Sequence, residues 1–364
     1  MKKQPRVEGN RTIHTVDLFS GCGGLSLGIL EACRRQKLGH NVAFASEWDS
    51  EALEIFNQNL NPKISMCKDI SELFDGDLRD EKPTVKESNL LKEFPEIYGV
   101  DLLTGGPPCQ GHSDLNNHSR RQDPRNDLYF RMIRAVQILS PKAIIIENVS
   151  TVIHSQEKVV QKSIEILEEM GYMVDQGMIW GNEFGVPQKR KRHFLIASRI
   201  SRPDMSILNQ YKMDKPRTLR WAIEDLMDKY EDGDTYNSSA NSSETNRERM
   251  NWLLENDMWD LPNHLRPKCH QNGHNYPAVY GRMKWDEPSS TITAGFGSNG
   301  QGRFMHPSAS PGRTLTPHEA ARVQTFPDWF KFDNNKRSTM SKTIGNAVPP
   351  LLAMHVAYIA LDSL

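Results

Sequence analysis

Strand-like and helix-like runs alternate from Ile13 onward, and this restricts the chain more than any other feature. A strand-like run over 13–19 passes through the glycine-containing turn "SGCGGLS" into a helix over about 24–36; a second strand over 41–47 and a helix reaching Asn59 repeat the order. Further strand-like runs follow at 64–67, 100–104, 143–147 and 193–198, with amphipathic helices near 128–139 and 159–170. A strand joined to the next through a helix pairs with it in parallel. The order therefore predicts an α/β fold with a mostly parallel sheet covered by helices, and ligands bound at the carboxyl ends of the strands. At 364 residues the chain can hold one large domain of this kind and a smaller one.

Past residue 200 the character changes. Residues 201–285 are polar, rich in Asn, Asp and Ser, and include the low-complexity stretch 232–246, so regular structure there should be sparse. We read this part as a second, small domain with long loops; a disordered insertion is the alternative. From Thr316 a helical stretch over 317–325 and a long helix over 351–364 follow, the latter apolar enough to pack back on the first domain. The expected division is 12–200, 201–285 and a returning part, 286–364. Residues 75–96 look like a charged surface insertion.

Lys plus Arg number 45 and Asp plus Glu 46, so a nucleic-acid partner would have to be met by local basic surface rather than by net charge. Five cysteines, odd in number and without Cys-x-x-Cys spacing, suggest reduced thiols in an intracellular protein. Residues 1–11 lack an apolar signal core, and no run reads as membrane-spanning, so a soluble cytoplasmic protein is expected.

"DLFSGCGGLSLG", residues 17–28, follows a strand and opens a helix, so its glycines let backbone approach a ligand at the helix N-terminus. The spacing is not Gly-x-Gly-x-x-Gly, which argues against a dinucleotide. Glu47, ending the second strand, suits ribose hydroxyls. Trp48 can cover an adenine face, and Asp69 and Ile70 lie where an exocyclic amine would be met. "GGPPCQGHS" closes the strand over 100–104 and puts Cys109 on the same edge, where a thiolate would be a carbon nucleophile; an inert thiol in a prolyl turn is the plainer reading. Glu147 ends the apolar run "IIIENV" at that edge, where desolvation favours a neutral acid, unless it simply caps the next helix. In "QKRKRH", Gln188, Arg190 and Arg192 alternate and can point one way toward phosphates or a base carbonyl, while Arg120, Arg121 and Arg125 add charge after Cys109. His264, Cys269, His270 and His274 match no common zinc spacing, and no metal is expected.

In their order along nearly the whole chain, "DLFSGCGGLSLG", Glu47-Trp48-Asp49, Asp69-Ile70, "GGPPCQGHS", "ENV", "QKRKR", "RTLTPHEAARVQTFPD" and "IGNAVPP" resemble the bacterial-type DNA (cytosine-5)-methyltransferases. The resemblance implies a class I S-adenosylmethionine-dependent methyltransferase fold, Rossmann-like, with residues 201–285 as a target recognition domain. It implies Cys109 as nucleophile on C6 of a cytosine flipped out of duplex DNA, Glu147 as the acid at ring nitrogen N3, and Arg190 and Arg192 as pocket and phosphate residues. Phe19, Gly21, Gly23, Leu25, Glu47, Trp48, Asp69, Ile70, Pro108, Leu128, Asn346 and Val348 would surround S-adenosylmethionine. Gln110, Ser113, Arg120, Arg121, Arg125 and Gln188 would face DNA, the first five from a loop over 110–127 that closes on it. A monomer is implied, with a restriction or other defence system as companion. His112 replaces a usual Phe, and His318 a usual Arg. An amino-methyltransferase would need no thiol, a dehydrogenase would have another loop spacing, and a DNA-binding module without activity would not need Cys109 and Glu147; a tRNA-directed relative is separated only by its substrate.

Overall fold

The computed structural model describes residues 11–78, 80–108, 126–154, 158–271, 278–332 and 336–364. They form two compact units, one comprising the described residues within 11–180, 191–212 and 348–364 and the other those within 181–190 and 213–347.

The larger unit is built on seven strands: β1 (Thr12–Leu18), β2 (Gly39–Glu47), β3 (Ile64–Cys67), β4 (Leu102–Gly105), β5 (Ala143–Val149), β6 (Met173–Trp180) and β8 (Lys191–Ser198), in the order β3-β2-β1-β4-β5-β8-β6. The first five pair in parallel, and β8 runs antiparallel between β5 and β6. This is the expected α/β sheet with one reversed strand. β6 lies at an edge with an uneven pattern of buried and exposed residues, which explains why no strand was legible there. The inner strands are buried on both faces, as their near-continuous apolar runs require, "AIII" of β5 being wholly inaccessible.

Register brings the carboxyl ends together. Leu18 lies opposite Ser46 on one side and Gly105 on the other, and Gly105 lies opposite Ile146. The residues that follow (Phe19, Glu47, Gly106 and Glu147) therefore emerge along one rim. The helices of this unit are α1 (Gly24–Arg35), α2 (Ser50–Leu60), α3 (Ile70–Leu73), α4 (Val85–Glu93), α5 (Asn126–Leu139), α6 (Val159–Glu169) and, from the C-terminus, α11 (Pro350–Asp362). α1 and α11 touch so closely that a Cβ on Gly28 would sit 2.6 Å from the Pro350 carbonyl oxygen and 2.7 Å from the Met354 amide. Here glycine is required by helix-to-helix approach.

In the smaller unit the parallel pair β7 (Gln188–Lys189) and β9 (Ser289–Ser290) is the only sheet among the described residues. Helices α7 (Leu219–Ile223), α8 (Glu244–Glu255), α9 (Pro317–Val323) and α10 (Arg337–Asn346) and several single turns supply the rest, around a core that includes Met250, Leu253, Leu261 and Met305. Residues 286–347 belong to this unit, and the chain returns to the sheet unit at Val348 rather than at 286. One stretch, Arg337–Asp362, is long and apolar enough by length and composition to cross a membrane, where no membrane-spanning run is expected from the sequence; 78% of its most apolar window is buried inside the protein.

Candidate active site

The turn after β1 is built from backbone in the left-handed region: Phe19 at φ 56°, Gly21 at 52° and Gly23 at 97°. Gly23 also caps α1, and a Cβ there would collide with Leu60 and Phe56. Above Gly21 there is open space. Glu47 is 7% exposed and ties the rim together, accepting from the Gly21 amide through Oε2 at 2.9 Å and from the Asp49 amide through Oε1 at 3.0 Å. Burial pushes its carboxyl above the usual carboxylate range, against the pull of those two amides. Next to it Trp48 is 63% exposed. Asp69 caps α3 by accepting from the Ser71 amide, and Ile70 is buried behind it. Leu25 is buried, Leu128 and Phe19 are partly buried, and both of the latter pack on the core cluster that contains Ile70. An acid at a glycine turn, an exposed indole and apolar walls suit a ribose and its base. Asn346 is exposed and Val348 buried, one in each unit.

Asp17, in the same motif, is not in the set of site residues expected from the sequence. It is buried, accepts from Ser26 Oγ at 2.5 Å, and desolvation raises its carboxyl to about 7. Only its place at the end of an apolar strand signalled this.

Farther along the rim, Glu147 meets Arg192 of β8, with Nε 2.9 Å from Oε1. The sequence suggested a lone desolvated acid; pairing with a cation was visible only once β8 ran antiparallel to β5, which sets Val149 opposite Arg192. A Cβ on Gly106 would come 3.3 Å from Glu147 Oε2, so "GGPP" passes directly over the carboxyl group. Asn148, also absent from the expected set, donates to the Pro107 carbonyl at 3.0 Å and anchors that turn. Pro108 follows, half-buried. Cys109, Gln110, Ser113, Arg120, Arg121 and Arg125 lie outside the described residues.

Gln188 and Arg190 do not join Arg192. Both are buried in the smaller unit: Gln188 donates to Gln324 at 2.8 Å and accepts from the Ile292 amide at 2.8 Å, while Arg190 donates to the carbonyls of Ile292 at 3.0 Å and Gly345 at 3.3 Å. Packing inside the smaller unit thus engages both Gln188 amide atoms and Arg190 Nη1, where the sequence suggested contacts with phosphate or DNA. At β7 Gln188 turns inward to pair with a side-chain amide and a backbone amide, and Arg190, just after it, satisfies backbone carbonyls. His318 accounts for its departure locally, facing Asn237 at 2.8 Å and Asp328 at 3.2 Å and stacking on Tyr236. His264 and Cys269 are exposed, His270 packs edge-on against Tyr280, and His274 lies outside the described residues.

A mostly parallel sheet with one reversed strand carries a glycine turn, a strand-end acid and a carboxylate–guanidinium pair on one rim, the arrangement of an α/β fold with its ligand edge at the carboxyl ends of its strands. Residues 13–360 match the family described as C-5 cytosine-specific DNA methylase. The chain is 41% identical to the type II methyltransferase M1.BsuMI of Bacillus subtilis (strain 168), over 98% of this chain and 83% of that protein. It is 31% identical to the type II methylase M.HgiDII of Herpetosiphon aurantiacus, over 94% and 93% of the two chains. In fold it is similar to a putative prophage-encoded DNA modification methyltransferase of E. coli, with TM-score 0.65, 24% identity and 97% and 99% coverage. The Dnmt2 methyltransferase of S. pombe gives TM-score 0.64 at 17% identity, with 96% and 98% covered. This chain belongs to the C-5 cytosine-specific DNA methylase family and is a DNA (cytosine-5)-methyltransferase.

Proposed function

We propose that the enzyme takes its methyl group from S-adenosylmethionine and places it on C5 of a cytosine flipped out of duplex DNA, with Cys109 as nucleophile. The Glu147–Arg192 pair beneath the "GGPP" turn, on the rim that carries Gly21 and Glu47, is the observation that carries this reading. Glu47 would hold the ribose hydroxyls, Trp48 the adenine face, and Asp69 and Ile70 its edge, with Phe19, Gly21, Gly23, Leu25, Pro108, Leu128, Asn346 and Val348 around them. Bound there, S-adenosylmethionine supplies an electrophilic methyl group.

C5 of cytosine is too weak a nucleophile to accept that group. The Cys109 thiolate adds to C6, and the ring electrons shift so that C5 becomes an enamine carbon. Glu147, held by Arg192, serves N3, where a proton or hydrogen bond stabilises the charge that develops. After C5 is methylated its proton is lost, the electron pair re-forms the double bond, and the C6–sulfur bond breaks to free Cys109. C6 is stacked inside the duplex, so the base must be extruded at a cost of a few kcal/mol. Arg120, Arg121, Arg125, Gln110 and Ser113 are placed in sequence to offset this through DNA contacts, whereas Gln188 and Arg190 would hold the smaller unit together. We assign target recognition to 201–285 and infer a cytoplasmic monomer acting on a short duplex site; the type II names of the relatives support a role in restriction-modification.

The test is a duplex whose target cytosine carries fluorine at C5. With no proton to lose after methyl transfer, elimination stalls and enzyme stays attached to DNA in a cofactor-dependent way; mass spectrometry should place the adduct on Cys109. Cys109→Ser should abolish transfer while both ligands still bind. Cys22 and Cys33 are poor rivals, since burial pushes both thiols up to about 12. An adduct on Cys22, Cys33, Cys67 or Cys269, or no adduct from active enzyme, overturns the mechanism.

A further inference from the structure

The charged stretch 75–96 is absorbed by no motif, yet it is not loose surface. Its helix α4 is opened by a capping box between Thr84 and Glu87, and the Glu87 side chain is fully buried against Arg134 of α5. Arg134 Nη2 donates to Glu87 Oε2 at 2.7 Å and its Nε to Oε1 at 2.9 Å. Arg134 also donates to the carbonyls of Asp77 at 3.0 Å, Asp80 at 2.5 Å and Lys82 at 2.9 Å. One turn earlier, Arg131 Nη1 donates to the carbonyls of Phe74 at 3.1 Å and Gly76 at 2.8 Å, and the Gly76 amide donates back to Glu87 Oε1 at 3.0 Å.

A buried ion pair is weak as a source of stability, because desolvating two charges offsets most of their attraction; its best-attested use is to select one geometry. The geometry selected here joins two walls of the proposed cofactor site. Ile70 opens α3, directly before Phe74, and Leu128 lies on α5 three residues before Arg131, on the same helix face. Ile70 belongs to the apolar cluster against which Leu128 and Phe19 pack.

We propose that Arg131 and Arg134 are positioning residues: by clamping the connection 74–84 onto α5, they set the separation of Ile70 and Leu128, the apolar walls of the adenine end. This rests on the cofactor reading above, so the experiment must separate the two. Binding of adenosine, of S-adenosylmethionine and of duplex DNA is measured by calorimetry for wild type, Glu47→Ala, Arg131→Met, Arg131→Lys and Gly76→Ala. Gly76→Ala attacks the clamp from its other side, since the new Cβ would lie 2.6 Å from Arg134 Cζ.

Arg131→Met and Gly76→Ala should weaken adenosine and S-adenosylmethionine alike by about tenfold, with Arg131→Lys recovering most of the loss. DNA affinity and kcat at saturating cofactor should stay within about twofold. If wild type fails to bind S-adenosylmethionine, or Glu47→Ala is neutral, the cofactor reading fails. If Glu47→Ala weakens binding but folded Arg131→Met and Gly76→Ala bind adenosine like wild type, with only Tm lowered, the clamp is a structural brace and the proposal falls. Should the variants not fold, hydrogen exchange on wild type decides: cofactor should slow exchange at 74–78 together with 70–73 and 128–134, and unaltered exchange at 74–78 refutes the coupling.

Discussion

Glu47 is the sharpest test of the cofactor site because it has two jobs with different energetic signatures. In the free protein its carboxylate accepts from the Gly21 and Asp49 amides at 2.9 and 3.0 Å. Glu47→Ala removes both acceptors. Gly21 and Asp49 are only partly buried, so water can replace the lost bonds and each costs about 1 kcal/mol, the low end of the range for an unmade hydrogen bond. Deleting a carboxyl group that burial already disfavours returns part of this, so the net loss of stability should be within about 2 kcal/mol. Cofactor affinity should suffer more. Two ribose hydroxyls lose a charged acceptor, at about 1.5 kcal/mol or more each, which is roughly a hundredfold in Kd. Glu47→Gln keeps one carbonyl acceptor and should lose roughly tenfold. The carboxyl is raised, so wild-type affinity should also weaken as pH falls through its elevated value, while the alanine variant shows no such dependence. Titration calorimetry with S-adenosylmethionine, with DNA binding by fluorescence anisotropy as control, measures each effect. A folded Glu47→Ala protein that binds cofactor within twofold of wild type would refute the ribose role.

Gly28→Ala should destabilise by about 1–3 kcal/mol or more, because the new methyl meets the backbone of Pro350 and Met354 rather than a side chain that can move; urea denaturation of the variant would show an unchanged midpoint if that packing is wrong. Asp17, raised from 3.8 to about 7, binds a proton in the folded state that the unfolded chain has released, so its contribution to stability falls between about pH 4 and 7 and is level above. Asp17→Asn should gain about 4 kcal/mol on wild type across that window, and parallel pH–stability curves for the two proteins would contradict the burial argument. Exchanging 201–285 for the matching region of a relative should change which sites are methylated, as read by methylation-aware sequencing; a folded chimera with its original specificity would place recognition elsewhere.

Local sequence carried the parallel half of the sheet. Short apolar strands, a glycine turn and amphipathic helices leave one connection pattern, which is why β1 to β5 and the helices α1, α2 and α5 were legible to within about two residues, whereas α3 and α4 were not. Glu47 and Glu147 were legible for the same reason: a polar residue that ends an apolar strand of a doubly covered sheet lands on its rim. Residue pairing across the sheet was not legible. Arg192 reaches Glu147 only because β8 enters antiparallel beside β5, and no local pattern states which strand a basic run will join. The same run misled at Gln188 and Arg190, since alternation gives direction relative to a strand but not what lies on that side; just before β8 the chain pairs with Ser289 and Ser290 instead, and Gln188 turns to the Gln324 side chain and the Ile292 amide while Arg190 turns to the carbonyls of Ile292 and Gly345. The stretch 75–96 read as surface for a related reason. Its charges are spread evenly along the chain, and only α5 supplies the arginines that draw Glu87 inside. Composition and period thus determined where the site edge lies, because they report how each segment partitions between water and core; which charges meet there was decided by tertiary packing, because a charge is buried only where a partner from elsewhere in the chain compensates its desolvation.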